Sequence, residues 1–198
     1  MQRELFDKAE TACSIPGLVY HPDFLSLPEE ACLLEVISSL PLRAARYKGY
    51  VARRRVVSYG GSYDFDTNTL LPTEALDERL RPLRNRVARW LRIDDEELVH
   101  ALVAEYAVGT PLGWHRDVPE FESIAGVSLG SEARLRLRPY PADQRAKRHV
   151  VDLPLAARSI YKLQGPARWA WQHSVPPVPS LRWSITFRTR RLSTTPAV

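Results

Sequence analysis

From residue 98 onward the chain is broken by Gly, Pro, Asp and Ser into short apolar segments, and it is strand-like almost throughout. Leu98 to Tyr106, Ile124 to Leu129, Ala133 to Arg138, His149 to Leu153, Ser159 to Leu163, Ala167 to His173 and Leu181 to Arg190 each read as a strand. Strands this short and this numerous must pack as two sheets or close on themselves, so residues 98–190 are expected to form a jelly-roll or sandwich core.

Two helices are predicted ahead of that core. Ser26-Leu27-Pro28-Glu29 has the Ser-x-x-Glu spacing of a capping box, and Leu33, Leu34, Val36, Ile37 and Leu40 share one broad face of a helix over Pro28 to Ser39. A second helix is predicted after Pro72-Thr73-Glu74, where Leu76, Leu80, Leu83, Val87, Trp90 and Leu91 recur at steps of three and four with arginines opposite. Between them, residues 53–65 read as a strand, a glycine turn and a second, aromatic strand. The fold class is mainly β (α+β), with both helices packed on one side. At 198 residues the chain suits one core, hence a single domain 1–198 with a loosely held arm over 1–16. The N-terminus lacks the apolar core of a signal peptide, and no run of eighteen apolar residues appears, so a soluble, cytoplasmic, monomeric protein with no membrane partner is expected. Cys13 and Cys32 are too few for a disulfide scaffold or a zinc ribbon.

The net charge is +5, and 24 of the 28 basic residues are arginine, the side chain best suited to forked contacts with phosphate and carboxylate. Such a balance permits a nucleic-acid partner without requiring one, since arginine-rich composition has other origins. Arg134-Leu135-Arg136-Leu137-Arg138 alternates strictly, leucines to one face and arginines to the other, and reads as a strand with one solvated face in preference to a phosphate track. Arg145, Lys147, Arg148 and His149 form a further basic patch in a loop-like stretch.

The chemistry concentrates around Gly113-Trp114-His115-Arg116-Asp117. Residues two apart on a strand face the same way, so His115 and Asp117 can aim at one point. A histidine from a neighbouring strand would complete a 2-His-1-carboxylate set, which leaves positions of Fe(II) open for reactants. His173, at the end of Arg168-Trp169-Ala170-Trp171-Gln172, fits that role better than His149, and His21 and His100 read as surface or satisfied core histidines. The strand from Leu181 is expected to run back beside His173 after the rigid Val175-Pro176-Pro177-Val178-Pro179-Ser180 connection. Its Arg182 and Arg188 are six apart and share a face, as a clamp on the two carboxylates of a small dicarboxylate requires.

With Leu112 to Asp117, Gln172-His173-Ser174 and Arg182-Trp183-Ser184-Ile185-Thr186-Phe187-Arg188 taken in order, the chain resembles the AlkB family of Fe(II)- and 2-oxoglutarate-dependent dioxygenases over about residues 50 to 190. The resemblance implies a double-stranded β-helix (jelly-roll) core, Fe(II) on His115, Asp117 and His173, and 2-oxoglutarate and O2 as co-substrates. It implies further that Arg182 binds the distal carboxylate of 2-oxoglutarate, that Arg188 binds near the carboxylate beside the keto group, and that Tyr106 touches the co-substrate. By the same likeness residues 45–70 form a substrate lid, with Arg53, Tyr59 and Tyr63 as candidate substrate-binding residues. Two positions depart from the family's pattern. Ala104 stands where an asparagine is usual, and Pro119 stands where several repair members carry an acidic residue, with Glu120 beside it as a fourth candidate substrate-binding residue.

The implied function is oxidative dealkylation of alkylated bases in DNA or RNA. The same chemistry on a protein side chain or small molecule is an alternative that Ala104 and Pro119 leave open. A nucleic-acid-binding module with an idle metal site, or a zinc hydrolase, would leave the arginine pair without a purpose.

Overall fold

The computed structural model describes residues 11–12, 15–47, 50–64, 67, 69–142 and 149–191. In chain order the elements are β1 (Thr11–Ala12), β2 (Leu18–His21), α1 (Leu27–Ser38), β3 (Arg43–Tyr47), β4 (Tyr50–Tyr59), β5 (Ser62–Asp64) and β6 (Thr69–Leu71). They continue with α2 (Arg81–Leu91), β7 (Leu98–Tyr106), β8 (Leu112–His115), β9 (Phe121–Leu129), β10 (Ala133–Pro139), β11 (Val151–Leu155), β12 (Ile160–Leu163), α3 (Gly165–Trp169), β13 (Trp171–Val175) and β14 (Arg182–Arg190). Among the described residues these strands form an eight-stranded sheet in the order β1-β2-β12-β9-β14-β7-β4-β3, a four-stranded sheet β11-β10-β13-β8, and the hairpin β5-β6. Described pairings are antiparallel throughout, as a jelly roll requires.

The large sheet is covered on both faces, and side-chain parity assigns each residue to one of them. Its outer face, with Val57 and Tyr59 of β4, Val103 of β7, Val127 of β9 and Ile185 and Phe187 of β14, packs against Leu33 and Ile37 of α1 and Leu83 and Val87 of α2. Its inner face contributes Ala104, Tyr106 and Ile124 to a second core shared with Leu135, Leu137, Leu153, Leu155 and Val175 of the small sheet. The predicted core and both helices are present, with the capping box formed between Ser26 and Glu29. Polar residues on the inner face are therefore held between two sheets, where burial makes each need a partner.

Four sequence expectations are corrected. The second helix begins at Arg81 and not near Pro72, because Pro82 is a first-turn residue; residues 72–77 are irregular, and Asp77 caps a short 3-10 turn over Glu78–Leu80. Ala167 to His173 is not one strand: Pro166 opens the short helix α3, and only Trp171 onward is extended. The strand expected over His149 to Leu153 runs from Val151 to Leu155, Pro154 being tolerated because β11 is a sheet edge. Most consequentially, β14 does not return beside β13. β13 pairs with β10 and β8, β14 pairs with β7 and β9, and the proline-rich link between them crosses from one sheet to the other. Of the arm over 1–16, Thr11–Ala12 pairs with β2 and Ile15 is buried. Residues 1–10, 13 and 14 of that arm, and Phe65, Arg145, Lys147 and Arg148, lie outside the described residues.

Gly126 on β9 is opposite Tyr161 on β12, and the tyrosine ring lies across it. A Cβ there would stand 2.4 Å from Tyr161 Cζ, so Gly126→Ala is expected to cost about 1–3 kcal/mol in urea unfolding, as overpacking does. A variant of unchanged stability would show that the ring moves freely.

Candidate metal centre

His115 is the last residue of β8, on the inner face, and β13 places His173 directly across from it. Their rings lie 4.2 Å apart between centroids. Asp117 is past the end of β8, so the strand parity expected to aim His115 and Asp117 together does not apply; the loop geometry does it instead. That loop is tied down by Arg168 of α3, buried, whose Nη2 donates to the carbonyls of Asp117 (3.1 Å), Val118 (2.7 Å) and Phe121 (3.0 Å). Arg116 donates to the carbonyl of Trp169, so α3 holds the loop at two points.

His115 Nε2 and His173 Nε2 lie 3.5 Å and 3.6 Å from the same oxygen, Asp117 Oδ1. The three donor atoms all fall within 4.8 Å of one another. Ligands about 2.1 Å from a common ion in neighbouring positions stand roughly 3 Å apart, so small movements close this set on a metal. Two imidazoles and one carboxylate on one side of an ion are the donor set of non-haem Fe(II). Protonation fits as well: His115 Nδ1 lies 2.8 Å from the Gly113 carbonyl, which can only accept, so the proton sits on Nδ1 and Nε2 presents a lone pair.

The remaining carboxylate oxygen is held from the other sheet, where Arg188 Nε on β14 donates to Asp117 Oδ2 at 2.7 Å. Burial alone would raise the Asp117 carboxyl; Arg188 and the two imidazoles outweigh it and hold the group well below the usual carboxylate range. Arg188 is itself oriented by His100 on β7, its Nη1 lying 3.0 Å from His100 Nδ1. A guanidinium has no lone pair to offer, so His100 accepts at Nδ1 and carries its proton on Nε2, 3.0 Å from Ser58 Oγ. Ser58 in turn donates to the Gly61 carbonyl at the root of the β5-β6 hairpin. Burial foremost, then the charge of Arg188, lowers His100 to about 3, and burial followed by His115 lowers His173 to about 3. The centre is lopsided in exposure, with His115 33% exposed against 10% for His173 and 7% for Asp117, so it opens on the β8 side.

Further along the same inner face Arg182 is buried on the Tyr106 ring, its Cζ 4.8 Å from the centroid and its Nη2 3.1 Å from Ser128 Oγ. Arg54 approaches the other end of Tyr106 at 5.9 Å. The Nε atoms of both arginines are buried with no hydrogen-bond partner among the described residues. A buried guanidinium and a partly buried one, both lacking a carboxylate, are a cradle for an anion. Burial would raise the Tyr106 phenol, but Arg54 and Arg182 lower it on balance, which strengthens it as a donor.

A sequence family described as the 2OG-Fe(II) oxygenase superfamily matches residues 17–195. This chain belongs to that superfamily. The oxygenase is also 28% identical over 190 residues, 84% of its length, to the "Alkylated DNA repair protein ALKBH8 homolog" of Arabidopsis thaliana, of which it spans about half (53%). Its fold matches "The structure of OsALKBH1" with a TM-score of 0.61 at 18% identity, covering 88% of this chain and 97% of that one. The double-stranded β-helix and the His-x-Asp and distal His triad of a 2OG-Fe(II) oxygenase are thus both in place.

Of the candidate residues, the oxygenase brings together His115, Asp117, His173, Arg188, Arg182 and Tyr106. It does not bring Tyr59, which is buried in the helix-side core, nor Arg53, which is exposed on the same side of β4; Arg54, between Arg53 and Arg55, is the arginine that turns inward. Tyr63 and Glu120 stay near each other, the Tyr63 phenol being raised by partial burial and then by the Glu120 carboxylate. Sequence reasoning passed over Arg168, Ser58 and the contact of His100 with Arg188. The unbroken inward parity of His100, Ala104 and Tyr106 on β7 was the one signal for His100. Among the described residues no helix is long and apolar enough to cross a membrane.

Two outcomes are expected. Arg188→Gln should weaken Mn(II) or Fe(II) binding about 10- to 100-fold in titration calorimetry, the usual cost of removing the group that holds a ligand carboxylate. In the metal-free protein, His100 and His173 stay neutral down to about 3 while the unfolded chain protonates them near 6.5. Over that window the unfolded state binds more protons, so stability falls as pH drops, by at most about 1.4 kcal/mol per pH unit for each histidine. His100→Asn keeps an acceptor for Arg188 but does not titrate, and should flatten that slope in urea unfolding from pH 7 to 5. An unchanged slope would count against a neutral buried His100.

Proposed function

We propose that this oxygenase removes alkyl groups from the bases of single-stranded nucleic acid. The observation that carries the substrate reading is Glu120, three residues past Asp117, whose Oε2 is buried without a hydrogen-bond partner among the described residues and whose carboxylate is near enough to Tyr63 to raise its phenol. An orphaned carboxylate oxygen accepts from the amino and ring N–H groups of a base, and a phenol beside it offers a stacking surface. Glu120 thereby takes the part that Pro119, one position earlier, cannot. The description of the Arabidopsis relative, a protein of alkylated DNA repair, supports the same class.

With Fe(II) and 2-oxoglutarate bound, the chemistry supplied is oxidative: 2-oxoglutarate loses CO2 to become succinate, an alkyl C–H becomes C–OH, and each product takes one oxygen atom of O2. A hydroxylated N-alkyl group then leaves as an aldehyde, and the base keeps its N–H. In this reading Arg182 forks the distal carboxylate of 2-oxoglutarate, using the buried Nε. Tyr106 donates to the same co-substrate. Ser184 is the cross-strand neighbour of Ala104 and lies in reach of the Tyr106 phenol, so with Arg54 it supplies the polar contact that Ala104 lacks. Arg188 fixes Asp117 and serves the carboxylate beside the keto group. The fit of the substrate against the opening at His115 decides which C–H is presented.

Incubation with Fe(II), 2-oxoglutarate and methylated single-stranded DNA, duplex DNA or RNA, with succinate and formaldehyde both followed, tests this. Equal release of the two products, dependent on a methylated oligonucleotide and abolished by His115→Ala, is the expected result. Succinate that no oligonucleotide stimulates would move the substrate to a protein side chain or small molecule. Glu120→Gln should raise KM for the oligonucleotide severalfold with less change in KM for 2-oxoglutarate.

A further inference from the structure

By its sequence alone the arginine ladder of β10 reads as a solvated face. We propose instead that the outer face of the four-stranded sheet is a track for the phosphodiester backbone of single-stranded nucleic acid, leading round the edge strand β8 to the metal centre. The proposal rests on the nucleic-acid reading above and adds where the strand outside the active centre lies.

The face is built from alternate residues. Leu135 and Leu137 point inward with His173, so Arg134, Arg136 and Arg138 point out, paired across the strands with Pro154, with Asp152 and Ser174, and with Gln172 respectively. Arginines two apart on a strand are about 7 Å apart, close to the step between successive phosphates of an extended single strand. Arg134 and Arg136 are 62% and 40% exposed, and Asp152 is shared between them at 3.1 Å and 3.4 Å. Among the described residues Asp152 is the one carboxylate in an ion pair with these arginines, which leaves the ladder positive.

The arginines are also held in place. Arg138 Nε donates to Gln172 at 2.9 Å, and its guanidinium lies 4.3 Å from the Trp114 ring centroid, with Arg136 at 5.5 Å from the same ring. Arg116 stacks on Tyr140 at 3.8 Å. Because guanidiniums already cover these rings, the rings are not platforms for bases; they fix the direction of cations, which then lose less freedom on meeting phosphate. The expected contact is therefore to the backbone and indifferent to sequence.

Position supplies the link to function. β8 is the edge of its sheet, and Trp114 and Arg116 flank the metal ligand His115. Trp114 faces the ladder, His115 faces inward, and the centre opens on this same side. A strand lying along the arginines reaches the opening by turning round one edge.

Fluorescence anisotropy with an unmethylated single-stranded oligonucleotide of about 12 nucleotides, at a series of salt concentrations, tests the track. For single strands each lost phosphate contact removes about 0.7 from the slope of log K against log salt. The triple variant Arg134→Gln, Arg136→Gln, Arg138→Gln is expected to be shallower than the unaltered protein by about 2, with affinity reduced at least about tenfold at low salt. The corresponding triple Lys variant, which keeps the charges, should recover most of the slope; if it stays as shallow as the Gln variant, the loss is one of folding and the track is overturned. An unaltered slope in the Gln variant, while the unaltered protein binds and turns over methylated oligonucleotide, overturns the track alone. If the unaltered protein neither binds nor turns over any oligonucleotide, the nucleic-acid reading falls and the track with it.

Discussion

A carboxylate buried between two sheets is tolerable only against a fixed positive charge, and the contact of Arg188 Nε with Asp117 Oδ2 supplies one. Much of the inner face is arranged around it. Arg188 comes from the large sheet, whereas the small sheet contributes both histidines. Its guanidinium needs a second partner, which His100 provides, and His100 needs an acceptor for its own proton, which Ser58 provides. The main chain of the Asp117 loop is held by another buried arginine, Arg168. Each cation thus satisfies a group that burial would otherwise leave unpaired.

This arrangement divides the work between the two sheets. The metal donors and the helix that braces their loop belong to the small sheet and its connections. The arginines, Tyr106 and the neutral histidine that orient the donors belong to the large one. Apolar contact between Ala104, Tyr106 and Ile124 on one side and Leu135, Leu137 and Val175 on the other keeps the halves in register. The helices α1 and α2 pack on the far face of the large sheet, away from the centre.

The local rules of the chain made a large part of this legible. Strict alternation on β10 and even spacing on β14 fix the faces of Arg136, Arg182 and Arg188, because a side chain's side of a sheet follows from parity alone. The capping box at Ser26 and Glu29 placed α1 within one residue. What failed depended on partners distant in sequence. Nothing in Val175 to Ser180 distinguishes a turn within a sheet from a crossing between sheets, and the arginine pair reached the right cavity by a different route from the one expected. Family likeness makes Tyr59 a candidate substrate contact, whereas its parity with Val57 commits it to the helix-side core. Arg168 was hidden in a five-residue helix that its tryptophans disguised as a strand.

The connection from β13 to β14 has one more consequence. It is stitched to the segment after β7, Gly109 donating to the Val178 carbonyl at 2.8 Å and Val178 to the Thr110 carbonyl at 3.3 Å. That segment leads directly into β8. A single strap therefore governs the gauge of the centre, because it ties together the chain entering the strand of the first histidine, the chain leaving the strand of the second, and the chain about to deliver Arg182. Lengthening or slackening it would change the spacing of the two histidines and of Arg182 together, even with every side chain around them intact.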